Sequence, residues 1–122
     1  MNTKTKNEDE IIFTYTSKQA EDDGVLFDIT RLNKEWKDGL FNYVTTNLLS
    51  KGYFDDIKGF NIPCVLDLLN QSMKIVKEKS QNMNKFDTFF DGQIELPSGE
   101  KQKVFIEQNE TEKFTIMLPE DR

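Results

Sequence analysis

Between Asn61 and Val76 the apolar residues Ile62, Val65, Leu66, Leu69, Met73 and Val76 return every three or four positions, which lays them along one face of a helix. Pro63 falls in the first turn, where no backbone amide is needed. Asp67, Asn70, Lys74, Lys77 and Glu78 take the opposite side, and the helix is expected to fade near Asn82 among weak helix formers. From Phe86 the period drops to two. Phe86, Thr88, Phe90, Ile94 and Leu96 share one parity, with Gly92 as the place for a bulge. Pro97, Ser98, Gly99 and Glu100 supply a turn, because a fixed φ is followed by a permissive glycine. Val104 and Ile106 lie in the next strand, Asn109 and Glu110 mark a tight connection, and Phe114, Ile116 and Leu118 alternate in a third.

The front half is less regular. Met1 to Glu10 is polar without an apolar period and reads as a flexible lead-in, and Ile11 to Thr16 suits a short strand or extended segment. Ser17 is placed to cap a short helix that Gly24 stops. Val25 to Ile29 is apolar, Thr30 is a cap for a helix starting near Arg31, and Gly39 breaks that helix. Leu40, Phe41, Val44, Leu48 and Leu49 recur at helical spacing before Gly52, and Asp55 to Phe60 reads as a loop. The expected fold class is α+β: N-terminal short helices and one long amphipathic helix packed on a C-terminal three-stranded antiparallel meander. Residues 1–10 form the lead-in and residues 11–122 a single domain.

Composition sharpens this picture. A chain of 122 residues is long enough for one core, and although only 36% of it is hydrophobic and 31% is charged, its ten Phe, three Tyr and Trp36 gather inside the periodic segments. Twenty-two acidic residues against sixteen basic ones leave a net charge of -6, which disfavours direct binding to polyphosphate backbones. One cysteine, Cys64, excludes an intramolecular disulfide, and no apolar run approaches a signal or membrane-spanning length. A reducing cytoplasm fits best, with no membrane association.

Histidine is absent, which removes the usual general base at neutral pH and the usual transition-metal ligand together. No glycine-rich phosphate loop occurs, so no cofactor and no catalytic set is expected. Glu21, Asp22 and Asp23, with Asp28, read as a solvated acidic helix end; a weak divalent-cation site or a partner contact are the alternatives. Asp55 with Asp56, Glu107 with Glu110 and Glu112, and Glu120 with Asp121 are further acidic groups, singly ordinary surface and together able to face a basic groove. The interspersed lysines dilute that field. Trp36 reads as buried, with an exposed hot spot for a partner as the alternative. Cys64 reads as a small hydrophobe of the helix start. Phe89 and Phe105 carry the opposite parity from their strand mates and would form an apolar patch on the outer sheet face.

Tyr15-Thr16 followed by Gln19-Ala20, then Asp23-Gly24-Val25-Leu26, Asp28 and Thr30, together with the closing Phe114-Thr115-Ile116-Met117-Leu118-Pro119-Glu120-Asp121, resembles the family known as domain of unknown function 6573. Gly59-Phe60, Ile62-Pro63 and Val65 add to the likeness, and Leu32 to Lys58 looks inserted. The resemblance implies an accessory protein of bacterial plasmids, phages and other mobile elements, and supplies no catalytic residues. The leading expectation is a non-catalytic binding protein with a protein partner, in its most concrete form an inhibitor of a host defence nuclease of the anti-CRISPR type acting on a nucleic-acid-processing effector. The alternative is a plasmid or conjugation module that binds another protein through the sheet face around Phe89 and Phe105. A third class is metal-assisted hydrolysis by Asp22, Asp23 and Asp28. A homodimer stays open if a sheet edge is free.

Overall fold

The computed structural model describes residues 16–80 and 87–122, so the expectations for residues 1–15 and for the helix end near Asn82 lie outside the described residues. In chain order it shows α1 (Ser17–Asp22), β1 (Leu26–Asp28), two 3-10 turns (Ile29–Arg31 and Lys34–Asp38), β2 (Phe41–Thr45), α2 (Thr46–Leu49), β3 (Phe54–Asp55), β4 (Gly59–Phe60), α3 (Ile62–Ser80), β5 (Phe89–Glu95), β6 (Lys101–Gln108), β7 (Phe114–Met117) and a last 3-10 turn (Pro119–Asp121).

The expected meander is present as β5, β6 and β7, but it is only part of the sheet. Five strands run in the order β1-β2-β7-β6-β5, and β2 lies parallel to β7 while every other neighbour is antiparallel. The fold is therefore α+β with a mixed five-stranded sheet. The difference comes from Leu40 to Leu49, where helical spacing predicted a helix and the chain instead forms β2 and the single turn α2. Phe41, Tyr43, Val44 and Thr45 are all buried, because β2 runs between two strands with cover on both faces. A short run buried on both sides has no period to read, and its aromatic and β-branched residues favour the strand. The stretch that looked inserted thus supplies an interior strand of the sheet.

Other differences are local. Thr16, not Ser17, caps α1: its hydroxyl accepts the Gln19 amide while the Gln19 side chain accepts the Thr16 amide, a reciprocal box of the kind that contributes about 1 kcal/mol. Asp28 rather than Thr30 caps the next turn, accepting from the amide and hydroxyl of Thr30. The expected helix from Arg31 is two 3-10 turns, the second ending at Gly39. Asp55 to Phe60, expected as a loop, closes a two-stranded ribbon of β3 and β4.

Helix α3 forms where the apolar period placed it, with the Asn61 side chain accepting the Cys64 amide at its start. Its rotational setting differs from the expected stripe. Val65, Leu68, Leu69, Ser72 and Ile75 are buried, whereas Ile62 and Leu66 are exposed and Met73 and Val76 only pack against the core margin. Apolar residues cover more than one face of this helix, so the pattern admits two settings, and the sheet selects one by where it lets the helix approach. That place is Gly92. A Cβ there would sit 2.7 Å from Cδ1 of Ile75, and the β5-β6 register runs through Gly92 without a slip, so the glycine accommodates a close helix and makes no bulge. Phe27, Val44, Ile116, Ile106 and Phe90 form one transverse row of the sheet on the α3 side.

Candidate functional site

The β3-β4 ribbon lies outside the main sheet and is anchored to the core by Tyr53, just before it, and by Phe60 on β4. Tyr53 is 1% exposed; its amide donates to the Leu49 carbonyl and its carbonyl accepts the Asn61 amide. Gly52, at φ +107, brings the chain past Pro97, whose ring a Cβ would meet at 3.1 Å. From this anchor Phe54 pairs with Phe60 and Asp55 with Gly59, while the Asp55 carboxylate accepts the amides of Ile57 and Lys58 and so folds the turn.

The ribbon lifts two aromatic rings over the edge of the sheet. The Phe60 ring centre is 4.6 Å from that of Phe27 on β1 and 4.7 Å from that of Phe54, within the range of favourable tilted ring pairs. Together with Thr46, Leu49 and Ser50 these rings wall an open pit of about 300 Å3. Its two hydroxyls face away from a ligand's needs, because Thr46 Oγ1 donates to the Gly24 carbonyl and Ser50 Oγ to the Asn47 carbonyl. What they leave for the pit is carbon. A second, more polar cleft of about 460 Å3 shares Ser50, Phe54 and Phe60 and adds Asp55, Lys58 and Asn61. At the ribbon tip Ile57 is 93% exposed, and Phe54 is 40% exposed. Large side chains left in water on a built turn mark an interaction surface more often than scattered apolar residues do.

Of the acidic residues singled out in the sequence, Glu107, Glu110 and Asp121 line one open cleft of about 370 Å3, Glu21, Asp28 and Glu110 gather at Tyr43, and the rest fall in separate places. Glu21, Asp28 and Glu110 surround Tyr43: burial raises the phenol's pKa first, the three carboxylates raise it further, and Arg31 opposes them. Glu21 is held by Arg31 at 3.0 Å, Asp22 by Lys18 at 3.4 Å, and Glu110 accepts both the amide and hydroxyl of Ser17. Asp23 closes α1, its amide donating to the Gln19 carbonyl. Asp55 and Asp56 lie in the ribbon turn, and Glu112 sits in the β6-β7 connection with a left-handed φ of 72°. Among the described residues no three acidic or cysteine side chains converge as a metal-ligating set.

Phe89 and Phe105 do lie on the outer sheet face, edge to face at 5.0 Å, and the chain covers them itself. The Arg122 guanidinium lies 4.2 Å above the Phe89 ring and is paired with Glu107 at 3.2 Å, and the Lys103 ammonium is 5.9 Å from the Phe105 ring. Trp36 is half-buried against the core and walls a small cleft with Leu40, Leu66, Leu69 and Met73. None of the pit residues Phe27, Leu49, Phe54 and Phe60 was among the candidate contact residues of the sequence, where Leu49 stood in a helical run and Phe60 in the family likeness. Two phenylalanines flanking Asp-Asp-Ile-Lys-Gly carry the turn chemistry of a hairpin, and that was the available signal.

No family model matches the chain, and no curated protein or solved structure matches it either. The resemblance to the domain of unknown function 6573 family rests on the quoted residues alone. Among the described residues no helix is long and apolar enough to cross a membrane.

Proposed function

We propose that this chain is a non-catalytic binding module that captures a protein partner through the phenylalanine pit and the ribbon tip. The observation that carries the reading is a carbon-walled pit of about 300 Å3 beside an isoleucine that is 93% exposed. A pit of this kind takes one bulky apolar side chain, and such anchored side chains dominate protein association. The sheet-face alternative has less support, because Arg122 and Lys103 already lie over Phe89 and Phe105.

Display selection of random peptides on the full chain tests the reading. Selected peptides should carry a bulky apolar residue, bind wild type, and lose about tenfold or more in affinity to Phe54→Ser and to the surface variant Ile57→Ser. Equal binding to all three proteins refutes it. The narrower target is a nucleic-acid-processing enzyme of a bacterial defence system, supported by the net charge of -6, which favours approach to a basic groove. RNA-guided nucleases that cleave at an unchanged rate with the chain in excess would remove that target while leaving the pit as a docking site.

A further inference from the structure

Resting on the reading of the pit as a protein-docking site, we infer that its occupant is an extended, basic peptide segment laid along the outer edge of β1, with one apolar side chain in the pit. Strand β1 is the last strand of the sheet, and no described strand pairs along its outer side. The hydrogen-bond phase fixes which backbone groups face that side. Because the Thr46 amide donates to the Val25 carbonyl and the register carries on as Leu26 with Thr45 and Phe27 with Val44, the bonded pairs fall at Val25 and Phe27. The amide and carbonyl of Leu26 and the amide of Asp28 therefore point away from β2.

A strand added here would send alternate side chains to the face on which Phe27 meets Phe60. Main-chain pairing and pit filling are thus available to one and the same ligand. Charge selects its sign. Residues 21–28 carry four acidic residues and no basic one, and residues 50–61 carry Asp55 and Asp56 with Lys51 and Lys58, so the two segments that frame the pit hold six acids against two lysines. Lys18 and Arg31 answer part of that charge through Asp22 and Glu21. With those pairs and Asp23 set aside, Asp28, Asp55 and Asp56 still outnumber Lys51 and Lys58, and with the net charge of -6 this favours a lysine- or arginine-rich partner segment.

The test uses the full chain, labelled for amide resonances, and short synthetic peptides: lysine-rich with one central tryptophan, the same with alanine in its place, a glutamate-rich version, and a lysine-rich version N-methylated at alternate residues along one edge. The lysine-rich tryptophan peptide should bind, move the amides of Leu26 and Asp28, and lose about tenfold or more in affinity on N-methylation, on removal of tryptophan and with Phe54→Ser protein. If the N-methylated peptide binds equally well, or the Leu26 and Asp28 amides stay still while resonances of the ribbon move, the strand mode is overturned and the pit stands. Preference for the glutamate-rich peptide overturns the partner's chemistry. Binding that ignores both the tryptophan and Phe54→Ser overturns the pit itself.

Discussion

Gly92→Ala is the most direct probe of how α3 sits on the sheet. The backbone at Gly92 is not in the left-handed region, so an alanine there meets no torsional penalty and gains roughly 0.5–1 kcal/mol over glycine from reduced chain freedom. Against this, the new methyl would lie 2.7 Å from Cδ1, 2.9 Å from Cγ1 and 3.0 Å from Cγ2 of Ile75. The isoleucine cannot clear all three atoms by turning its end, because it is itself buried, and overpacking of this kind costs about 1–3 kcal/mol. A net loss of about 0–2.5 kcal/mol follows, read as a lower urea midpoint at constant slope. The decisive assay is the double-mutant cycle. Ile75→Ala alone costs about 2–5 kcal/mol through its cavity, and in its presence Gly92→Ala should become neutral or stabilising, a coupling of about 1–3 kcal/mol. Ile75→Val, which removes only Cδ1, should rescue part of it. A coupling below about 0.5 kcal/mol would refute the reasoning, since the two sites would then not share the space that sets the helix position.

Burial, with Asp67 and Cys64 adding to it, pushes the Tyr53 phenol from 10.0 up to about 12. The unfolded chain gives up that proton near pH 10 while the folded chain keeps it, so this contribution is complete below pH 10 and falls by about 2–3 kcal/mol as pH rises towards 12. Tyr53→Phe should remove that part of the alkaline slope, and at pH 7 should be neutral or stabilise by up to about 1 kcal/mol because the hydroxyl has no hydrogen-bond partner among the described residues; denaturation curves between pH 7 and 12 that superimpose in slope with wild type would contradict this. Gln71 donates to the Glu95 carbonyl and accepts the Glu95 amide, acting as a side-chain neighbour for the open edge of β5, so Gln71→Ala should cost about 1 kcal/mol and raise self-association in sedimentation; unchanged sedimentation and unchanged Glu95 amide exchange would count against that role. Arg122→Ala should cost about 0.5–1.5 kcal/mol and increase binding of an apolar dye, because it uncovers Phe89; no change in dye binding would show that the guanidinium does not shield the ring.

Legibility of the fold followed how one-sided each element's environment is. Strands β5 and β6 alternate between buried and more exposed positions, so their period survives in the sequence, and α3 and β7 were placed by their spacing although α3 carries apolar residues on more than one face and β7 is buried throughout. Strand β2 is buried on both faces, and in Phe41, Val44 and Leu48 the spacing of three and four is a coincidence of a strand running into a single helical turn. Gly92 showed that something special happens in β5 without showing what, because the cause is Ile75, seventeen positions away on another element. The pit was hidden for a similar reason. Phe27, Leu49, Phe54 and Phe60 come from four elements, and each alone looks like ordinary core.

The carboxylates teach the reverse lesson. In the sequence they were the most conspicuous surface feature, yet Glu21, Asp28, Asp55, Glu107 and Glu110 each hold a specific guanidinium, amide or hydroxyl of this chain. Their charge is real and acts at a distance, but their geometry is fixed by internal duties, so they are poorly placed to adapt to the contact details of a partner. The pit has no such duty beyond carrying the ribbon. On the proposed reading, specific affinity would belong to the carbon surface of Phe27, Phe54 and Phe60 and the acidic field would act on the approach: mutations that reduce the negative charge should slow association of a basic partner, while mutations in the pit should speed dissociation.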